Sequence, residues 1–267
     1  MAFSSPRLRK LKERDDTILD TAREIFLEDG YYGLTMNRIA ARCGLSKGTM
    51  YHYFSCKEEI IIALAERAFR KRTELMHRGT LLKGKTRERI LAVGEAVVLF
   101  VLLNMGDSRI IHAAMGTLRE KTPPLRLQAL VQAEQEQLGI LRGVIDEALL
   151  QGDLTLTNGT TVDEILLGTW GLVDGAHLLI ESGAHGSSLQ LSDPFERVWR
   201  FWNFAADGYG WKPFFAEWDY GASLLRARAE VFAEEARAIY GEAPGLGNVS
   251  EVWMQAARRP HADSKPS

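Results

Sequence analysis

The stretch LTMNRIAARCGLSKGTMYHYFSCKEEI, Leu34 to Ile60, decides the fold. Thr35 can cap a helix whose Met36, Ile39 and Ala40 fall three and four residues apart, on one face of a 3.6-residue period. Gly44, just after Cys43, suits the left-handed conformation that turns a chain out of a helix. Ser46 offers a second cap. The helix it opens turns Met50, Tyr53 and Phe54 toward a core and leaves Lys47, Gly48 and Thr49 facing water. Two short helices joined by a tight turn, the second beginning with small, polar and basic residues, describe a helix-turn-helix, in which the first residues of the second helix meet base edges in a DNA groove.

Gly48 sharpens this reading. Glycine inside a helix costs roughly 1 kcal/mol relative to alanine, and close approach of the helix to a duplex is a reason to keep it there. Thr49, Tyr51, His52 and Lys57 add hydroxyl, imidazole and ammonium groups, the types that contact phosphates or base edges. The plainer alternative is the ordinary polar surface of a small helical bundle. A helix from about Asp15 to Asp29 precedes the motif, with Ile18, Ala22, Ile25 and Phe26 inward and Gly30 as its stop. Another follows from Lys57 to about Arg78, with Ile60, Ile61, Leu64, Ala68 and Leu75 on its apolar side.

These residues together resemble the N-terminal signature of the TetR/AcrR family of bacterial transcriptional regulators. Phe26, Gly30, Tyr31 and Thr35 stand where the family closes its first helix. Ile39, Ala40, Gly44, Leu45, Ser46, Lys47, Gly48, Thr49, Met50, Tyr51, Tyr53, Phe54, Lys57, Glu58, Glu59 and Ile60 follow its motif through the reading helix. The match is long and specific, and it covers only about Asp15 to Leu64. The resemblance implies a homodimeric repressor, less often an activator, whose divergent C-terminal domain binds a small molecule and so loosens the grip on double-stranded operator DNA. Carried over by position, Thr35 and Ser46 contact phosphates, Lys47, Gly48, Thr49, Tyr51 and His52 face the groove, and Lys57 reaches a phosphate. Asn37 and Arg38, on the exposed side of the helix before, are lesser candidates.

Charge is distributed as such a protein would need. The 267 residues carry a net charge of −2, which by itself argues against nucleic acid, but residues 1–78 hold 15 Lys/Arg against 11 Asp/Glu and the remainder 18 against 24. The DNA-reading end is therefore positive and the rest negative, an asymmetry that orients a protein on an anionic duplex. Arg7, Arg9, Lys10, Lys12 and Arg14 make residues 1–14 a basic arm, read either as solvated and disordered or as reaching phosphates or the minor groove. Cys43 and Cys56 read as small packing residues in a reducing compartment, with a redox switch the remoter alternative. The first twenty residues carry charges where a secretory signal has an apolar run, and the longest apolar segment, Ala96 to Leu103, falls well short of the ~20 residues that cross a membrane. The expected location is the cytoplasm, with no membrane partner.

An apolar content of 46% allows a sizeable core. Turn signals at Gly79–Thr86, Lys121–Pro124, Gln151–Thr161 and Ser182–Pro194 separate helical stretches over Arg87–Met105, Ser108–Glu120, Leu125–Leu150, Val162–Glu181 and Phe195–Asp207, with a further amphipathic helix over Asp219–Tyr240. The expected fold is all-α: a basic arm (1–14), a three-helix helix-turn-helix domain (15–60), a helical effector-binding and dimerisation domain (61–240) and a flexible tail (241–267). Gly168, Gly171 and Gly175, with Val198, Trp199, Phe201, Trp202 and Phe204, suggest a dimer face, the alternative being ordinary core.

Glu95, Phe100, Asn104, Met105, His112, Met115 and Trp170 are candidates to line a pocket for a largely apolar effector. Glu95 within an apolar helix needs a partner, either a cationic effector or, more simply, an arginine. Asp174, His177 and Glu181 share a helix face, but with no ligands evident on other elements surface or interface polarity is the better reading, so no metal is expected. No cofactor is expected either. Two rival functions are an enzyme fused to a DNA-binding head, which a saturable turnover would establish, and an adaptor that answers to no effector.

Overall fold

A computed structural model of the chain describes residues 6–157, 159–182 and 194–241. Among them are eleven α-helices, one short 3-10 helix and no strand, so the fold is all-α. In chain order the helices are α1 (Pro6–Gly33), α2 (Met36–Arg42), α3 (Lys47–Tyr53), α4 (Lys57–Gly79), α5 (Thr86–Leu103), α6 (Met105–Ala114), the 3-10 helix (Thr117–Lys121), α7 (Pro124–Gln151), α8 (Val162–Glu181), α9 (Pro194–Gly208), α10 (Tyr220–Glu230) and α11 (Ala233–Tyr240). The residues beyond Gly241, residues 183–193, where the sequence signals a turn, and the first five residues lie outside the described residues.

Cα proximity divides the chain into two compact units. The first comprises residues up to Arg70 and Gly106–Ala133; the second comprises Lys71–Met105 and the residues from Glu134 onward. This division differs from one drawn at residue 60. The first turns of α4 belong with the head because Ile60, Ile61, Leu64 and Ala68 are buried there. α6 and the start of α7 belong with it too: Arg23 donates to the buried Asp107 at 2.5 Å, and Gly106 sits so close to Leu27 that a Cβ would lie 2.6 Å from its methyl group.

In the first unit α1 runs antiparallel to α4. At one end the Tyr31 hydroxyl donates to Glu58 at 2.7 Å, and at the other Arg67 binds Asp20 at 2.9 Å together with Asp16. Gly30 leaves the helix with φ 68°, a left-handed value costly for residues with a Cβ, and so ends the main run of α1 where its sequence signal lies. The start of α1 corrects the expectation of a loose arm. Residues from Pro6 onward are helical because proline suits the first turn, Leu, Lys and Arg are good helix formers, and Arg9 and Glu13 pair one turn apart. Since Thr35 follows the other end of α1, the basic residues 9–14 stand roughly 30 Å from it along the helix.

The second unit is organised around α5, whose Ala92, Val93, Ala96, Val97 and Leu99 are packed with Met76, Leu82, Ala227 and Phe232. α10 and α11 lie along α5, and α9 lies against α8. Three charged clusters fasten the C-terminal helices. Glu88 accepts from Ser223 at 2.7 Å and from Arg226 at 3.1 Å, and Glu95 accepts from Arg228 at 2.7 Å. The fully buried Arg87 donates to Asp207 at 2.6 Å and to the carbonyls of Asn203, Trp211 and Pro213. The one helix expected over Asp219–Tyr240 is in fact two, because Phe232 leaves helical geometry to enter the α5 core. Ser108–Glu120 likewise divides: Gly116 adopts extended backbone and the chain resumes as the 3-10 helix before Pro123 and Pro124. Asn104, with φ −133°, separates α5 from α6. No single described helix is long and apolar enough to cross a membrane.

Candidate nucleic-acid interface

Each half of the motif is capped as its sequence suggests. The Thr35 hydroxyl accepts from the Arg38 N–H at 3.2 Å and opens α2. The Ser46 hydroxyl accepts from the Thr49 N–H at 3.1 Å and shares a 2.8 Å contact with the Thr49 hydroxyl. A hydroxyl that accepts from a backbone N–H still carries its own hydrogen, so the exposed Thr35 keeps a donor for a phosphate, and the hydroxyl pair of Ser46 and Thr49 keeps one between them. Between the helices Gly44 has φ 63°. Met36, Ile39, Ala40, Met50 and Phe54 are buried beneath, which fixes the rotation of both helices.

That rotation leaves Lys47, Gly48, Thr49, Tyr51 and His52 exposed on α3. Tyr51 is 46% exposed, with the Lys47 ammonium 5.9 Å from its ring centre. His52 stacks edge-on against the half-buried Tyr53. Nothing lies within 4 Å of where a Gly48 Cβ would be, so no protein contact demands glycine there. The exposed row offers hydroxyls, an imidazole, an ammonium and a bare stretch of backbone on one short helix.

Three further cations near this face are bound by groups of the same unit. Lys57 donates to the Tyr31 carbonyl at 3.1 Å and lies 3.8 Å from the Tyr31 ring centre, so its ammonium secures the end of α1. Arg38 binds Asp29 and the Gly33 carbonyl, and Arg42 grips Glu28 through both carboxylate oxygens, at 3.1 and 2.6 Å. The Arg42 hydrogen bond holds the Glu28 carboxyl below its ordinary range. The Glu58 hydrogen bond pushes the Tyr31 phenol up to about 12, so the phenol remains a donor at neutral pH.

The effector residues expected from sequence are divided between the two units. His112 and Met115 fall in the first unit, Glu95, Phe100, Asn104, Met105 and Trp170 in the second. Glu95 is satisfied by Arg228 and the Tyr240 hydroxyl; burial raises its carboxyl while Arg228 pulls it the other way. Phe100 is fully buried, Asn104 caps α5 through the Phe100 carbonyl, and Met105 packs near Leu102, Ile180 and Val198. Trp170 donates to Asp174, which also receives Arg72 at 3.4 Å. These contacts occupy Asp174 and remove one corner of the Asp174, His177, Glu181 face.

The second unit does contain a cleft of about 430 Å³, lined by His77 and Thr80, Arg89 of α5, and Glu136, Gly139, Ile140, Gly143, Val144 and Glu147 of α7. A Cβ at Gly139 or Gly143 would meet nothing within 4 Å, so the two glycines hollow this face of α7. Arg89 binds Glu147 at 2.5 Å and thereby lowers its carboxyl. In sequence the two glycines read only as weak points in a helix. Their spacing of four, which puts both on one face, was the usable signal.

On α8 and α9 the exposed apolar residues include Leu167, 71% exposed, and Phe201 and Phe204, each 50% exposed. Phe204 also touches Phe215 edge-on while staying half exposed, whereas the less exposed Trp199 meets Phe215 edge-on and Trp202 meets Trp211, so the two tryptophans of the expected face serve internal packing. Gly168 adjoins the Tyr209 hydroxyl, 2.6 Å from its would-be Cβ. The Phe195 side chain lies outside the described residues.

Comparison with known proteins follows the same division. Residues 18–64 match the family described as bacterial regulatory proteins, tetR family. The fatty acid metabolism regulator protein of Bacillus subtilis is 28% identical over 137 residues, covering 51% of this chain and 69% of that one. The transcriptional repressor AcnR of Corynebacterium diphtheriae is 35% identical over 74 residues, 28% of this chain and only 39% of its own. Among solved structures, a bacterial regulatory protein in the tetR family from Rhodococcus RHA1 aligns with TM-score 0.55 and 17% identity, covering 74% of this chain and 97% of that one. The regulator FadR of Bacillus subtilis, in complex with stearoyl-CoA, aligns with TM-score 0.50 and 21% identity over 65% of this chain and 94% of its own.

Proposed function

The chain belongs to the TetR/AcrR family of transcriptional regulators, and from that premise we propose that it is a homodimeric repressor which holds operator DNA through α3 and releases it when a small molecule enters the second unit. The observation that carries the DNA half is the exposed row Lys47, Gly48, Thr49, Tyr51 and His52 on a helix anchored by Met50 and Phe54. Groove contacts fall to Lys47, Gly48, Thr49, Tyr51 and His52 and phosphate contacts to Thr35 and Ser46. Lys57 contributes by holding the end of α1, and one of its three donors remains available to a phosphate.

For the effector, the 28% match to the fatty acid metabolism regulator is too long to be confined to residues 18–64. With the fold shared with a regulator carrying stearoyl-CoA, it favours an amphipathic acyl compound. The cleft on α5 and α7 falls within the range of about 300–1,000 Å³ typical of small-molecule sites. An effector that binds better to the conformation unable to hold DNA shifts the population away from the operator, and by linkage DNA weakens the effector equally. Leu167, Phe201 and Phe204 supply an apolar face for the second protomer. A protein with this task works in the cytoplasm and has no turnover of its own.

The test is an operator selected by the protein from random duplexes, then titrated with stearoyl-CoA. Release of the operator, lost when Gly143→Leu fills the cleft while DNA affinity is kept, is the expected result. An operator complex indifferent to acyl-CoAs would remove the effector assignment.

A further inference from the structure

Arg126, in the first turn of α7, reaches three parts of the reading head. Its guanidinium lies 5.5 Å from the centre of the Phe54 ring, its Nε 3.7 Å from Glu59 and its Nη1 3.9 Å from Glu66. Phe54, the residue that closes α3, is 1% exposed. The second oxygen of Glu59 accepts from the Ser55 N–H and the Ser55 hydroxyl, both at 2.8 Å, so the same carboxylate shapes the turn between α3 and α4. The end of the reading helix, the turn after it and the first and third turns of α4 thus converge on one cation from a different helix. All lie within the first unit. The surroundings are largely dry: the side chains of Arg126, Glu59 and Glu66 are 30%, 12% and 15% exposed. Beside them the Asp15 carboxyl is raised by burial, with Arg126 opposing, so a further acid feels this guanidinium.

We infer that Arg126 is a positioning residue for DNA recognition, through which α7 sets the orientation of α3. This rests on the reading that α3 enters the groove. The cation over the Phe54 ring holds the end of α3, and the two carboxylates hold the guanidinium. α7 continues to Gln151 and carries Gly139, Gly143 and Glu147 of the cleft. Arg126 needs no contact with DNA.

That last point separates it from a phosphate ligand. With an operator selected by the wild-type full-length protein, Arg126→Gln is expected to lower specific affinity about tenfold. Affinity for an unrelated duplex and the slope of log K against log salt should stay at wild-type values, because no phosphate contact is lost. Exchanging the charges, Arg126→Glu with Glu66→Arg, should recover part of the loss. Should Arg126→Gln unfold the head, Arg126→Lys serves in its place: it keeps the charge, loses the guanidinium and is expected to lose about threefold. Operator affinity unchanged in the folded variant overturns the inference, as does a parallel loss on specific and unrelated DNA. A wild-type protein that selects no duplex overturns the DNA reading, and the role of Arg126 with it.

Discussion

Gly48 is the residue at which stability and function pull apart. Its would-be Cβ meets no protein atom, so Gly48→Ala should stabilise α3 by up to about 1 kcal/mol through helix propensity. A methyl group between helix and duplex should nevertheless weaken operator binding. Thermal melting and operator titration of the same variant check this together; higher stability with unchanged affinity would mean that the helix does not approach DNA at this position. Much at this scale was legible in sequence, because caps, turn glycine and inward apolar positions are local and act within four residues. Partners distant in the chain were not. Glu95 signalled that it needed a countercharge, but nothing near it announced Arg228, 133 residues away. Lys57 looked like a phosphate ligand, and only the folded head shows its ammonium over Tyr31.

At the level of helices, boundaries marked by glycine, proline or a capping threonine could be read, as at Gly79, Pro124 and Thr161. Breaks made by tertiary packing could not, as at Phe232, where the core draws one side chain inward and ends a helical run. α11 depends on such packing and on one pair in particular. Arg78 of α4 donates to Glu235, at 3.0 Å for one oxygen, and this hydrogen bond holds the Glu235 carboxyl below its ordinary value of 4.5. A lowered folded value means that the pair's contribution is whole above that pH and fades as pH falls through the lowered value. Protection of α11 amides, corrected for intrinsic exchange, should therefore hold from neutral pH down to the ordinary carboxylate range and fall only below about pH 4. Glu235→Gln should exchange fast throughout and lose that extra dependence. A pH profile identical in the two proteins would show that the pair does not anchor α11.

The whole molecule is a reader of one kind of site and a sensor of another, and the sequence disclosed the two unequally. The head follows a pattern in which nearly every position has a local job. The second unit is specified by long-range burial around α5, so the sequence conveyed its helices and withheld its cleft. In the proposed dimer the two functions are linked, since one head alone has too few contacts for a long operator. Leu167→Glu with Phe201→Glu places charges on the exposed apolar face of α8 and α9 and should yield a folded monomer in ultracentrifugation, with specific affinity lower by about a hundredfold or more. A double variant that remains dimeric would move the interface elsewhere.

The central claim is that α3 reads base sequence, and footprinting on the selected operator tests it most directly. The wild-type protein should protect two blocks whose centres lie about one helical turn, 34–36 Å, or a multiple of it apart, and Thr49→Ala should lose both while keeping its fold and dimer. Protection of the same bases by Thr49→Ala at wild-type affinity would contradict the account.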